Sequence, residues 1–328
     1  MKRLLIVILV ASGLWFGYWF VGAYTARHGF ANWFETRRAE GWVADYADFA
    51  LRGFPNRFDA TWTDLTLADP ETGLAWDLPL FQILALAYRP NHVIAVWPHE
   101  MRIATPEEKF TLTTDALRAS LRLSGSALEL ERAVMEGTAL RLSGAETAAM
   151  EDLHLAAERT GDTTYRYGIR AAGITPPAAR LSELVGTEAL PETMQLLSLD
   201  AHVTFDKAWD RTAIDIARPQ PRRIDLTAFE AAWGVMRIRL AGNLDLNEAG
   251  LASGDIALRA EHWRDMLQIA EDSGAIPEAA ARAITAFLGM GAQSSGNPEA
   301  LDVTITLRNG TAFLGFIPLG PVPPIRLR

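Results

Sequence analysis

The sequence predicts an α+β protein, in which an N-terminal transmembrane helix precedes a long, mostly antiparallel β-sheet body with a few inserted helices. Three observations carry this. Leu4 to Tyr24 is an apolar run without a single charge, placed directly behind Lys2-Arg3. From Arg57 onward, apolar and polar residues alternate with period two in one stretch after another. Helical spacing returns only in short segments between those stretches.

The apolar run comes first. At ~1.5 Å per residue its 21 residues reach about 30 Å as a helix, the thickness of a bilayer's hydrocarbon core. A cleavable signal peptide has a shorter apolar region, ~7–15 residues, followed by small residues. Val21 and Ala23 would supply that small pair. However, Trp15, Phe16, Tyr18, Trp19, Phe20 and Tyr24 crowd the far end, as aromatic residues do at the headgroup level of a spanning helix. Residues 1–25 are therefore expected to be an uncleaved anchor, held in a bacterial inner membrane through residues 4–24.

Orientation is read from less. Basic residues flank both ends of the run: Lys2 and Arg3 before it, and Arg27, Arg37 and Arg38 after it. The short leader resembles a signal-anchor start, and the absence of cysteine is compatible with an oxidising compartment. The bulk of the chain is expected in the periplasm.

Residues 26–52 are expected to form an amphipathic juxtamembrane helix. Phe30, Phe34, Trp42, Tyr46 and Phe49 recur at helical spacing, and Gly53-Phe54-Pro55 stops it because proline cannot continue a helix. Residues 53–328 are expected to be one β-rich extracytoplasmic domain. Its clearest strands carry Leu117 to Leu123, Leu197 to Phe205, Met236 to Leu246 and Leu301 to Leu307. Shorter ones carry Leu128/Leu130, Leu140/Leu142, Leu153/Leu155, Tyr165/Tyr167/Ile169 and Ile256/Leu258. Such alternation gives antiparallel strands with one apolar and one polar face. Turn signals fall between them at Asn247-Glu248-Ala249-Gly250 and Asn309-Gly310. Helices are expected at Pro177–Leu190, Trp263–Ala270 and Pro277–Met290. The Pro-rich tail (Pro318, Pro321, Pro323, Pro324) is expected to end the sheet and cover an edge strand.

Several of these residues together resemble a known family. The anchor, Gly53-Phe54-Pro55 with Arg57-Phe58, and Asn309-Gly310 followed by Leu314-Gly315, Ile317-Pro318-Leu319-Gly320-Pro321 and Pro323 look like an uncharacterised bacterial envelope family, domain of unknown function 2125. The resemblance covers nearly the whole chain and implies no activity. More loosely, Gly242-Asn243-Leu244-Asp245-Leu246 with Gly250, Gly254, Ile256 and Leu258 resembles the repeating hairpins of AsmA-type inner-membrane proteins, which implies a sheet groove for lipid.

Composition narrows the function. At 49% hydrophobic and 22% charged residues, the chain is globular rather than disordered. The net charge is −9, and because residues 1–40 carry +3, the remainder carries −12. An acidic body excludes nucleic acid as the expected partner, since phosphates demand a basic stripe.

No catalytic constellation is visible. There is no serine flanked by glycines two positions away on both sides, and no phosphate-cradling loop ending in Lys-Ser or Lys-Thr. The six histidines never pair at i, i+4, and without cysteine a structural zinc site is not expected. Asp200, His202, Thr204 and Asp206 share one strand face. Neighbours two apart on a strand are ~6.5–7 Å apart, so they are read as a solvated face. No enzyme activity, metal or cofactor is expected.

The remaining candidate is apolar. Leu197, Leu199, Val203 and Phe205, with Ile238 and Leu240, are expected to line a groove or the core beneath it. The expected function is a membrane-anchored β-groove protein binding or moving lipid beside the inner membrane. A closed structural scaffold is the alternative.

Overall fold

The computed structural model describes residues 2–179, 190–272, 282, 285 and 299–327. The expected helices over 177–190 and 277–290 lie almost entirely outside these residues. Within them the chain is an apolar N-terminal helix followed by a large antiparallel sheet.

Helix α1 spans Lys2–Ala39 and is long and apolar enough to cross a membrane. It stops earlier than the aromatic spacing predicts. Gly41 takes φ +90°, the left-handed conformation of a helix-ending glycine. The Trp42 amide donates to the Arg37 carbonyl, and the Gly41 amide donates to that of Arg38. This paired capping closes the last turn. The expected juxtamembrane helix over 26–52 is thus corrected: its second half is β1 (Val43–Asp45) and β2 (Asp48–Arg52). Tyr46 and Phe49 still pack on the helix, against Phe34 and Phe30, but they do so from the β1–β2 connection and from β2. A helical repeat of apolar residues records only which side is buried, and here both secondary structures bury it.

The body divides into two compact units, Met1–Leu123 with Met135–Ala145 and Ser124–Val134 with Glu146–Arg328, where the sequence suggests a single domain over 53–328. Period-two alternation is the same in both, so it leaves no mark at the boundary.

In the first unit, β3 (Arg57–Ala68) and β4 (Ala75–Leu86) form the long central hairpin. β1 and β2 both pair with β3. On the other side β4 pairs with β5 (Arg89–Val96) near its end and with β6 (Glu100–Ala104) near its start. β7 (Lys109–Thr113) and β8 (Ala116–Ser124) extend these two, and β7 then pairs with β9 (Glu129–Ser143). The core is aromatic: Trp62 meets Phe30, Phe49 and Phe81, with ring centroids 4.9, 5.0 and 6.0 Å away. Such pairs add ~0.5–1.5 kcal/mol beyond area burial.

In the second unit, β10 (Thr147–Arg159), β11 (Thr164–Ile174), β12 (Met194–Phe205), β13 (Pro221–Trp233), β14 (Met236–Leu246), β15 (Ala252–Glu261), β16 (Ala300–Arg308), β17 (Thr311–Leu314) and β18 (Ile317–Pro321) each pair antiparallel with the next. A short helix, α2 (Thr212–Asp215), precedes β13, and α3 (Trp263–Asp272) follows β15 where helical spacing predicts it. The turns at Asn247–Gly250 and Asn309-Gly310 close hairpins as expected, and Asn247 Nδ2 donates to Asn309 Oδ1. The Pro-rich tail pairs as β18 and then folds over those turns. The Val322 amide donates to Gly310 O, and that of Ile325 donates to Gly250 O.

Candidate apolar sites

The register of the second unit aligns the predicted residues across the sheet. Leu199 stands opposite Ile169 and Phe229, and the row continues through Leu240, Leu258 and Val303. One step along, Leu197 lies in a row with Ala171, Ala231, Ile238, Ala260 and Leu301. Val203 sits between Tyr165 and Ile224. Leu197, Leu199, Val203, Ile238 and Leu240 are half-buried and Phe205 is buried, its ring against Tyr165, Tyr167 and Trp209. These residues do occupy one face, as alternation requires.

α3 lies at the end of that face, where Trp263, Met266 and Leu267 pack with Leu258, Ala260, Leu301 and Val303. A hollow of about 300 Å³ remains there, and Ile238 is part of its wall. Leu240 instead borders a more polar depression with Phe229, Glu230 and Arg239. The six predicted residues therefore share a face without converging on one cavity.

The opposite face is a lattice of exposed ion pairs. Arg166 makes two hydrogen bonds to Asp200, Nε to Oδ1 at 2.9 Å and Nη2 to Oδ2 at 2.6 Å. The Arg166 guanidinium holds the Asp200 carboxyl below the usual carboxylate range. Arg223 bridges Asp225 and Asp245, while Arg237 and Arg239 both reach Glu230. His202 pairs in register with Arg166 and Asp225. Tyr165 is fully buried, and its hydroxyl accepts the Trp209 amide at 3.0 Å. The neighbouring Tyr167 hydroxyl is pushed up to about 12, by burial first and Tyr165 second. Among the described residues no cluster of three or more His, Asp or Glu side chains is arranged to hold a metal ion.

A larger apolar site lies in the first unit, where sequence reasoning did not look. α1 runs along the β3–β4 hairpin and leaves an open groove of about 540 Å³ between them. The helix contributes Ala26, Gly29, Phe30, Trp33 and Phe34, and the sheet contributes Trp62, Leu65, Leu67, Phe81 and Ile83. Apart from Gly29, every one of these side chains is apolar. A Cβ added at Gly29 would meet nothing within 4 Å, so this lining position leaves open space where a side chain would stand. A signal was present in the sequence: Ala26, Gly29, Phe30, Trp33 and Phe34 share a helix face on which a glycine interrupts bulky neighbours.

The helix is fastened to the sheet below the groove. Trp15 Nε1 donates to Pro55 O at 3.0 Å, Tyr18 Oη to Ala87 O at 2.5 Å and Trp19 Nε1 to Arg57 O at 2.8 Å. Gly22 lets the helix approach, because a Cβ there would come within 2.7 Å of the Phe58 ring. Gly53 is required by the turn itself: it takes φ +104°, and a Cβ would lie 2.8 Å from the Arg57 carbonyl oxygen.

No curated protein and no solved structure matches the chain. One family model does, described as an uncharacterised protein conserved in bacteria (DUF2125), and it aligns with residues 19–323. That match takes in the last six residues of the apolar run, the fastening turns, the groove and the C-terminal hairpins, and the chain belongs to this bacterial family.

Proposed function

We propose that the protein is a lipid-binding module anchored beside the bacterial inner membrane, with its body in the periplasm, and that the groove beneath α1 holds an acyl chain. One observation carries the reading: the walls of the groove begin at Ala26, directly after the apolar run that ends at Tyr24. A groove at that height opens beside the lipids that surround the same helix. Its volume of about 540 Å³ falls within the roughly 300–1,000 Å³ of small-molecule sites. Its lining offers no hydrogen-bonding side chain apart from the indole groups, which suits a hydrocarbon and not a polar metabolite. The partner class is therefore lipid, and no cofactor is needed.

The test is lipid mass spectrometry of the full-length protein purified in detergent. Lipid should co-purify with the parent protein and be lost from Gly29→Phe, which fills the groove. Replacing a mid-helix glycine favours the helix by up to ~1 kcal/mol, so the variant should remain folded. Equal lipid content in parent and variant would remove the groove from the reading. No lipid in either would favour a structural role for the whole protein.

A further inference from the structure

We infer that the β2–β3 and β4–β5 turns of the first unit are themselves embedded in the bilayer surface, so that the body is seated in the membrane rather than suspended above it. This rests on α1 crossing the bilayer, and it goes beyond the lipid-binding reading because it does not require the groove to be occupied.

The argument begins with lengths. Leu4 to Leu14 are exposed on all sides of the helix, with Leu14 at 71%. At Trp15 the helix makes its first hydrogen bond to the body. The free portion, Lys2 to Leu14, reaches only about 20 Å at 1.5 Å per residue. A hydrocarbon core is about 30 Å thick. If the apolar run to Tyr24 fills that core, whatever is bound at the level of residues 15–20 lies inside its boundary.

What is bound there is the pair of turns. Phe54 packs against Phe16, Trp19 and Phe20, with centroids 4.6, 5.3 and 6.0 Å away. Phe54 is nonetheless 42% exposed, and Tyr88 on the adjacent turn is 58% exposed. Both are aromatic residues at a loop tip, beside a helix whose outward residues there (Phe16, Phe20, Val21, Tyr24) are also exposed.

Non-helical backbone enters a membrane only where its polar groups find partners within the protein. Much of the backbone of these turns meets that condition, and a seat at the bilayer surface leaves the tips of Phe54 and Tyr88 at the level of the headgroups. Gly53 O accepts the amides of Asn56 and Arg57, and Asn56 O accepts the Ala87 amide. Pro55 has no amide hydrogen. The carbonyls of Pro55, Arg57 and Ala87 would otherwise point outward. They accept from Trp15, Trp19 and Tyr18 of the helix. The aromatic belt of α1 thus serves the turns as well as the headgroups. Arg52 and Arg89 are exposed where the turns rejoin their strands, and their long stems let the charges reach phosphates from a shallow seat.

The chain contains no cysteine, so single labels are available on the full-length protein. Phe54→Cys and Tyr88→Cys, with Glu71→Cys on the β3–β4 turn and Leu9→Cys in the free helix as references, are each labelled with an environment-sensitive fluorophore. The proteins are reconstituted into phosphatidylcholine–phosphatidylglycerol vesicles. Residues 54 and 88 should lose quenching by aqueous iodide and gain quenching by nitroxides placed shallowly on the acyl chains. Residue 71 should behave oppositely, since β3 separates it from the tips by about 36 Å at 3.3 Å per residue. Iodide access at 54 and 88 equal to that at 71, with residue 9 shielded, overturns the inference and leaves the anchor intact. If residue 9 is exposed too, anchor and inference fall together. Shielded tips on a protein that carries no lipid keep this inference and remove only the lipid-binding reading.

Discussion

Trp19→Phe tests whether α1 and the sheet of the first unit are one folded unit. The indole of Trp19 is buried, stacks on Phe58 at 5.8 Å and donates to Arg57 O at 2.8 Å. Phenylalanine retains an aromatic ring against Phe54 and Phe58 and removes the donor. The Arg57 carbonyl is then left without this partner in a part-buried position, which costs ~1–3 kcal/mol. Against a total stability of roughly 5–15 kcal/mol, a midpoint loss near 2 kcal/mol is large. It should lower the melting temperature of the first unit by about 4–8 °C, at the ~2–4 °C per kcal/mol expected for a body of this size. The assay is thermal unfolding of the full-length protein in lipid nanodiscs, followed by near-ultraviolet circular dichroism. Trp233→Phe is the matched control. Its indole donates to Pro191 O at 2.6 Å in an exposed setting, where water replaces the lost donor, so its effect should be much smaller. A Trp19→Phe protein that melts with the parent would refute the fastening, since it would mean that the Arg57 carbonyl is hydrated or that the helix does not dock.

Two further outcomes follow from the second unit. Val203→Asp places a charge between Tyr165 and Ile224, and Arg159, across Tyr165 in the same row, is already paired with Glu129, so the change costs several kcal/mol and should unfold the unit in a urea titration, whereas His202→Ala on the opposite face should leave the midpoint unchanged. Asp200 has a folded pKa held below its ordinary value, first by the Arg166 hydrogen bond, so its contribution is present above the ordinary carboxylate range and is lost as pH falls through the lowered value. The pair is exposed and contributes little to stability, but a carboxyl-carbon NMR titration should place Asp200 below its peers and Arg166→Leu should return it to the ordinary range.

Much of this fold is written in local pattern. The Leu4–Tyr24 run becomes part of α1, apolar and long enough to cross a membrane, as its unbroken apolar length requires. Alternation at Leu197–Phe205 and Met236–Leu246 becomes β12 and β14 with the apolar residues on one face, because a strand has only two faces. Asn309-Gly310 makes the hairpin it predicts, with φ +47° and +80°. Trp263 begins α3 where the period changes from two to three and four.

What local pattern misses has a common cause. Trp42, Tyr46 and Phe49 are spaced for a helix, but Gly41 ends α1, and Tyr46 reaches Phe34 from the β1–β2 connection while Phe49 reaches Trp62 from β2. Only the partners across the core decide between two backbones that bury the same residues. The Leu197–Leu240 face was legible as a face, but its cavities were not, because α3 and the ladder's lateral register apportion them. The groove under α1 was invisible as a site. Its walls come from residues 26–34 and 62–83, and the void depends on how closely Gly22 lets the helix lie against Phe58. The sequence by itself determined that a helix long and apolar enough to cross a membrane precedes a one-sidedly apolar antiparallel sheet. Tertiary packing decided that the helix docks on the sheet through Trp15, Tyr18 and Trp19, since an apolar period specifies burial and only a non-local partner specifies against what.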